Sequence, residues 1–417
     1  MQLSLPMRVK QVESLLNKMK VFVYFHDAAL THSRYLLEAF AAHPRVSSLT
    51  VGYPDGRGAD IIFSAGSADT NKPVNYQMVG LKSGRLRAKW ARFSALMGAI
   101  RDAQPDYVIV LDEALYPNTL LAGLAVRLLK LDVPVVFYGF ENIHQSPPWD
   151  WLFENGYKAF WPFLRKTLRY YVSDRGLQPI RRHLISGGLV SYSECEAIVH
   201  QAGWHTPMRE QWWGVDTGLF IAAAHKRVGR PESWNALDSQ RVIGFVGRFV
   251  PEKGVVDLLQ ALAMLGPDFL LVCVGGGPQE AALWQAAQGL GVDQQLRILP
   301  PMPASALAEH IAAMDVLALP SHTEQFWKEQ YGRVLVEAMA AGVPVIGSDS
   351  GAIPYVISDA QRTFVEKDIA GICSAVKVAL AMSREERAQL QVRAQRGDVS
   401  AFADGYIRFY DELRDKC

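Results

Sequence analysis

Cysteine is scarce in this chain of 417 residues, and what there is forms no pattern. Cys195, Cys273, Cys373 and Cys417 are scattered, with no CxxC pair and no metal-ligand spacing. That argues against a disulfide framework or a structural zinc site and fits a reducing compartment. Long apolar runs are missing too: no uncharged window reaches the roughly 18 residues a membrane-spanning helix needs. The opening stretch, MQLSLPMRVKQVESLLNKMK, carries charges throughout and lacks an apolar core followed by a small-residue cleavage site. It does not read as a signal peptide, and the expectation is a cytoplasmic protein. No repeat of fixed period and no low-complexity tract occurs. A formal net charge of +1 leaves nucleic acid a weak reading for a partner. One further absence is local. The first strand-like run is followed by His26-Asp27-Ala28-Ala29-Leu30, where a dinucleotide-binding domain would place a glycine-rich turn.

What the chain does contain is an ordinary globular composition, 49% hydrophobic and 20% charged. Its length exceeds what one core organises, so two domains of about 200 residues each are expected. Lys20–Phe25, Tyr107–Leu111, Val133–Tyr138 and Leu189–Tyr192 are short runs crowded with β-branched and aromatic residues, which marks buried parallel strands. Amphipathic stretches such as Ser33–His43 and Asn118–Leu131 lie between them. This alternation predicts an α/β doubly wound sheet. A second series follows the polar segment Ala222–Ser239: Val242–Val246, Phe269–Val274, Leu296–Leu299, Val316–Leu319 and Val343–Ile346. Two doubly wound domains in tandem, 1–220 and 221–400, are therefore expected, joined near residues 215–240. The last segment, 401–417, places Phe402, Tyr406, Phe409, Tyr410 and Leu413 on one helical face.

Three segments of the second half carry chemistry. Gly247-Arg248-Phe249-Val250-Pro251-Glu252-Lys253-Gly254 links the first strand of that half to a helix over Val255–Leu265. Arg248 and Lys253 project from a strand-to-helix loop at the carboxyl edge of the sheet, where open α/β sheets bind ligands. Two fixed cations there suit two phosphate groups, although a solvated loop with two surface cations has the same sequence. Val274-Gly275-Gly276-Gly277-Pro278 looks like a Rossmann turn, but Glu280 occupies the position that needs a small residue, so a tight turn approached by a ligand is the better reading. Finally, Trp327–Gly351 sets Glu329 and Glu337 about a single Gly332. Gly332 is expected to start a helix, with the N–H groups of Gly332, Arg333 and Val334 facing an anion. Glu329 is read as lying one step before that end, beside a hydroxyl-rich group attached to the anion. Glu337 is read as lying about 7.5 Å along the helix, at about 1.5 Å rise per residue, within reach of a ribose. Two surface glutamates on an ordinary helix would be the bland alternative, but Leu335, Val336 and Met339 already mark the buried face.

With these residues in view, the sequence resembles the retaining, nucleotide-sugar-dependent glycosyltransferases of the GT-B fold, specifically glycosyltransferase family 4 (glycosyl transferases group 1). The family's E-x7-E element is similar to Glu329 through Glu337, and its cationic loop to Gly247-Arg248 through Lys253-Gly254. Trp213-Gly214-Val215-Asp216-Thr217 resembles its interdomain segment, and Gly347-Ser348-Asp349-Ser350-Gly351 its next turn. The likeness covers most of residues 185–360. Tyr355 departs from it, standing where the family usually has Glu. The resemblance implies two Rossmann-like domains facing across a cleft, the N-terminal one binding the acceptor and the C-terminal one the nucleotide sugar, with the 401–417 helix returning to the first.

The resemblance further implies a metal-independent hexosyltransferase that needs no cofactor beyond its donor, a GDP- or UDP-linked sugar. Arg248, Lys253 and Glu329 would be catalytic. Gly247, Gln330, Tyr331, Gly332, Arg333, Val334 and Glu337 would bind the donor, with Leu299 and Pro300 near the base. In the first domain, Asp112, Glu113, Glu141, Asn142 and His144 follow strands and are acceptor-side candidates, each also open to a purely structural role. The acceptor would be a glycan or lipid-linked saccharide in cell-surface polysaccharide or glycolipid synthesis. The first 220 residues carry an excess of five positive charges and the rest an excess of four negative ones. Leu81–Arg101 and Tyr157–Arg182 mix basic with aromatic residues, which fits an anionic membrane interface on the inner face of the plasma membrane and fits ordinary amphipathic helices as well. A non-catalytic nucleotide-sugar-binding regulator and a retaining phosphorylase on the same fold remain rival readings.

Overall fold

The computed structural model describes residues 18–28, 31–54, 76–81, 88–112, 114, 117–140, 160, 164, 177–227, 229–237, 239–324 and 327–415. The chain forms two compact α/β units: residues up to Gln211 together with those from Phe402 onward, and Trp212–Ala401. The polar segment Ala222–Ser239 thus lies inside the second unit rather than at its edge. A helix over Thr217–Lys226 and the turn Glu232–Trp234 occupy it, and Trp234 is completely buried.

The first unit is built on a parallel sheet: β1 (Met19–Phe25), β2 (Val46–Pro54), β3 (Tyr76–Leu81), β4 (Tyr107–Leu111), β5 (Val135–Gly139), β6 (Gly187–Val190) and β7 (Met208–Glu210). Their order is β3-β2-β1-β4-β5-β6-β7, so the chain reverses direction across the sheet between β1 and β4, where Val21 pairs with Tyr107 and Phe25 with Leu111. β4 and β5 are buried at every position, as their unbroken apolar sequences require of strands covered on both faces. The helix Val399–Arg414 packs here: Phe402 meets Phe40 and Tyr138, and Tyr410 meets Tyr107, with ring centroids 5.0–5.9 Å apart. Asp411 accepts both ends of the Arg45 guanidinium at 2.5 and 2.9 Å, and Asp404 lies 3.0 Å from His43.

The second unit repeats the plan with β8 (Arg241–Arg248), β9 (Phe269–Gly276), β10 (Leu296–Leu299), β11 (Val316–Leu319), β12 (Val345–Ser348) and β13 (Thr363–Phe364). The order β10-β9-β8-β11-β12-β13 is again parallel throughout, and it reverses between β8 and β11. The helix Val255–Leu265 buries Val255, Leu258, Leu259 and Leu262, the i, i+3, i+4, i+7 stripe that a helix lays on a sheet. Two strands start later than their apolar runs do: β5 begins after Pro134 and β12 after Pro344. Proline has no N–H to donate to the ladder, so Pro134 and Pro344 join it only as acceptors, from the Val108 and Leu317 N–H groups at 3.0 and 2.9 Å.

Candidate functional site

In an open parallel sheet the ligand crevice forms beyond the carboxyl ends of the strands, at the reversal point. In the second unit that point is the exit of β8 and β11, and the polar residues of the sequence converge there. β8 ends in Gly247 and Arg248, the chain turns through Pro251–Lys253, and Gly254 enters the helix with φ +65°. Only glycine fits this position: a Cβ would stand 2.0 Å from the carbonyl oxygen of Pro320, just past β11, and the left-handed φ itself disfavours a side chain. The two strand exits are thus in backbone contact.

The cations on this loop have different surroundings. Arg248 has a side chain 62% exposed, and its guanidinium lies 3.9 Å from Glu252. Lys253 is enclosed. Its Nζ donates to Glu329 Oε2 at 2.6 Å and sits 4.9 Å from the centre of the Trp327 ring. Glu329 is buried, and the same carboxylate oxygen accepts from Ser321 Oγ at 2.8 Å. Its backbone is fixed as well: the Glu329 carbonyl accepts from the Ala352 N–H at 3.0 Å.

The helix after this loop runs Arg333–Ala340, with Gly332 at its N-cap in the left-handed region, φ +74°. Glu329 therefore lies three residues ahead of the cap rather than one step before it. Glu337 is the fifth residue of the helix, little more than one turn in. Its carboxyl is 3.4 Å from Arg333 Nε. Burial pushes the Glu337 pKa above its ordinary 4.5, and Arg333 opposes the rise only in part. Val334 and Arg333 are half-buried, Tyr331 is buried and Gln330 is exposed. Leu299 closes β10, with Pro300 exposed after it and Pro301 3.8 Å from where a Gly276 Cβ would be. The loop after β10 thus lies beside the glycine turn after β9.

Further contacts tie the β11 exit together. Ser348 Oγ donates to the Ser321 carbonyl, Thr323 donates to Glu366 at 2.5 Å, and His322 Nε2 lies 2.7 Å from Asp257 Oδ2. Sequence reasoning missed Ser321, His322, Asp257 and Trp327. The available signal was position, since Ser321 and His322 directly follow a buried parallel strand. Tyr355, the departure from the family pattern, accepts from Trp212 Nε1 at 3.3 Å and from Arg396 at 3.4 Å.

In the first unit, Asp112 follows β4 and is 7% exposed, held by Asn118 Nδ2 at 2.6 Å. His26, following β1, brings its Nδ1 to 4.0 Å from the same carboxylate. Glu113, Glu141, Asn142 and His144 lie outside the described residues, as do Lys82, Arg85 and Arg87 in the first basic segment and Lys158, Trp161, Phe163, Arg165, Lys166, Arg169, Tyr170 and Tyr171 in the second. Among the described residues, no helix is long and apolar enough to cross a membrane.

Comparison with known proteins adds three findings. Residues 230–396, most of the second unit, match the family model for glycosyl transferases group 1. The chain is 31% identical over 214 residues to the D-inositol 3-phosphate glycosyltransferase of Segniliparus rotundus, a match spanning 47% of this chain and 45% of that protein. It is 36% identical over 182 residues to the GDP-mannose-dependent alpha-(1-6)-phosphatidylinositol monomannoside mannosyltransferase of Mycolicibacterium smegmatis, over 42% of this chain and 47% of the relative. The chain thus spans less than half the length of these curated relatives. Among solved structures, Anabaena HepE in complex with UDP and glucose superposes with TM-score 0.63 at 16% identity, over 94% of this chain and 99% of that one. WaaG, a glycosyltransferase involved in lipopolysaccharide biosynthesis, gives 0.57 at 16% identity over 94% and 99%. The fold is that of the GT-B glycosyltransferases: two Rossmann-like α/β domains with parallel sheets.

Proposed function

We propose that this chain is a retaining glycosyltransferase of family 4, moving a hexosyl unit from a GDP- or UDP-linked sugar to a glycan or lipid-linked saccharide. The observation that carries the reading is the Lys253–Glu329 contact at the reversal point of the second sheet, with the exposed Arg248 at the start of the same strand-to-helix loop. A cation pair and a carboxylate on one sheet edge match the two ends of a sugar diphosphate: phosphates that need positive charge, and hydroxyls that need an acceptor. In this reading Lys253 and Arg248 receive the diphosphate, Glu329 accepts from the transferred sugar, and Glu337 accepts from the ribose hydroxyls. The match of residues 230–396 to glycosyl transferases group 1 supports it.

The chemistry is same-face substitution. The bond from the anomeric carbon to the phosphate oxygen breaks, with its electron pair leaving on the diphosphate. The acceptor hydroxyl oxygen attacks from the side the diphosphate has just vacated, and its proton passes to the departing phosphate oxygen. The protein's task is to stabilise charge on the leaving group with donors already in place, and Arg248 and Lys253 supply positive charge without a metal ion or other cofactor. A thermal-shift panel of nucleotide sugars tests donor binding, since a ligand at 100 times its Kd adds about 2.7 kcal/mol of stability. Transfer is then measured with the stabilising donor. Arg248→Ala should lose about 2–4 kcal/mol of transition-state stabilisation with the fold unchanged. No shift with any nucleotide sugar, or an Arg248→Ala enzyme as active as the parent, overturns the proposal.

A further inference from the structure

For Lys253 and Glu329 to meet, two loops must hold a common register. One leaves β8 and carries Lys253 into the helix Val255–Leu265. The other leaves β11 through Ser321 and His322 toward Glu329. Their backbones touch at Gly254 and Pro320, and the His322 N–H donates to the Glu252 carbonyl at 2.8 Å. A side-chain link closes the arrangement. His322 Nε2–H donates to Asp257 Oδ2 at 2.7 Å, with the two side chains only 11% and 13% exposed. The contacts form a ring: Asp257 to His322, the adjacent Ser321 to Glu329, Glu329 to Lys253, and Lys253 one turn of chain back to Asp257. An enclosed polar pair of this kind is no more stabilising than apolar residues of similar volume. What it supplies that apolar residues do not is a directional constraint.

We propose that His322 and Asp257 are a positioning pair, whose hydrogen bond keeps the two strand exits in the register that seats the Lys253 ammonium against Glu329. The proposal rests on the reading of that cluster as the donor site, but its geometry is testable without transfer. Asp257→Leu/His322→Leu removes the constraint while leaving no buried charge unpaired. Site-resolved lysine acylation with acetic anhydride, read by peptide mass spectrometry, reports the seating of Lys253 against the exposed Lys377 as internal standard. The double variant is expected to keep a cooperative thermal transition, yet its relative Lys253 acylation should rise about fivefold as the charge-assisted bond to Glu329 is lost. His322→Gln, whose amide nitrogen falls near the position of Nε2, should restore protection. If the double variant does not fold, His322→Asn, too short to reach Asp257, is measured by the same criteria. In transfer assays, kcat should fall by about tenfold or more, because small misplacements cost rate, while KM for the donor moves by less than about threefold. Unchanged Lys253 protection in a folded variant overturns the proposal. A parent enzyme that transfers no sugar, with the acylation results as expected, would instead sink the assignment of function and leave the positioning pair standing.

Discussion

Lys253 and Glu329 are 76 residues apart in sequence, and both side chains are largely enclosed where they meet. Sequence alone makes Lys253 a loop cation whose removal leaves the fold untouched; the structure makes it the partner of a buried carboxylate. Lys253→Met takes the ammonium away from the buried Glu329 carboxylate and should cost about 3 kcal/mol in urea unfolding, the lower end of the range for breaking a buried pair. Lys253→Met/Glu329→Gln should recover at least half of that, and equal losses in the two variants would refute the coupling. Glu337 behaves in the opposite way. Its pKa is raised in the folded state, so the folded chain binds this proton more tightly than the unfolded chain does. Its contribution to stability is best below the ordinary value of 4.5, declines as pH rises through the folded pKa, and is a net cost at neutral pH. Glu337→Gln should therefore hold or raise Tm at pH 7, and the difference from the parent should shrink toward pH 4. Nucleoside diphosphate affinity should fall about tenfold if the ribose loses a charge-assisted bond. A Tm below the parent's at pH 7 would contradict the electrostatic account. Both glutamates were legible from their spacing about Gly332. The partners of Glu329 were not, because Lys253 reaches it only through the pairing of β8 with β11, and Ser321 only through the course of the loop after β11.

Unbroken apolar strands were far easier to read than short or polar ones. β4 and β11 match their apolar runs residue for residue, as does the helix Val255–Leu265, because burial on both faces of a strand, or along one stripe of a helix, forces a pattern; β10, an edge strand, matches its run as well. β2, β3, β7 and β13 escaped notice. β2 carries Ser47, Ser48 and Gly52 among its apolar residues, and β7 and β13 are three and two residues long, too short for any period. The helix Val399–Arg414 shows what its predicted apolar face is for. Phe402 is completely buried between Phe40 and Tyr138, so Phe402→Ala should cost about 3–5 kcal/mol, as expected for removing a buried aromatic side chain. Denaturant unfolding followed by near-UV circular dichroism measures this. A loss below about 1 kcal/mol would mean the helix is not part of the first unit's core.

At the scale of the whole molecule, the excess of positive charge in the first 220 residues is the feature that bears on partners. If the basic aromatic segments Leu81–Arg101 and Tyr157–Arg182 meet an anionic membrane, co-sedimentation with acidic vesicles should fall steeply as salt rises, since charge is screened within about 8 Å at physiological ionic strength. Equal binding to neutral and acidic vesicles would remove the electrostatic basis of that idea. The two-unit plan was legible from the alternation of runs, while the division at Gln211 and Trp212 was not, because the polar stretch that suggested a junction is pinned inside the second unit by Trp234.

The course of the chain also bears on how it is made. The first unit contains the residues up to Gln211 and those from Phe402 onward, so its core lacks Phe402, Tyr406 and Tyr410 until the whole of Trp212–Ala401 has been translated. At about 5–20 residues per second, the ribosome spends roughly 10–40 s on Trp212–Ala401 while the rings of Phe40, Tyr107 and Tyr138 await their partners. The second unit is continuous in sequence and can close during that interval. Birth order and folding order are therefore reversed in this chain: the half synthesised first is the half completed last, and through that window it is the part of the nascent protein most exposed to chaperones and proteases.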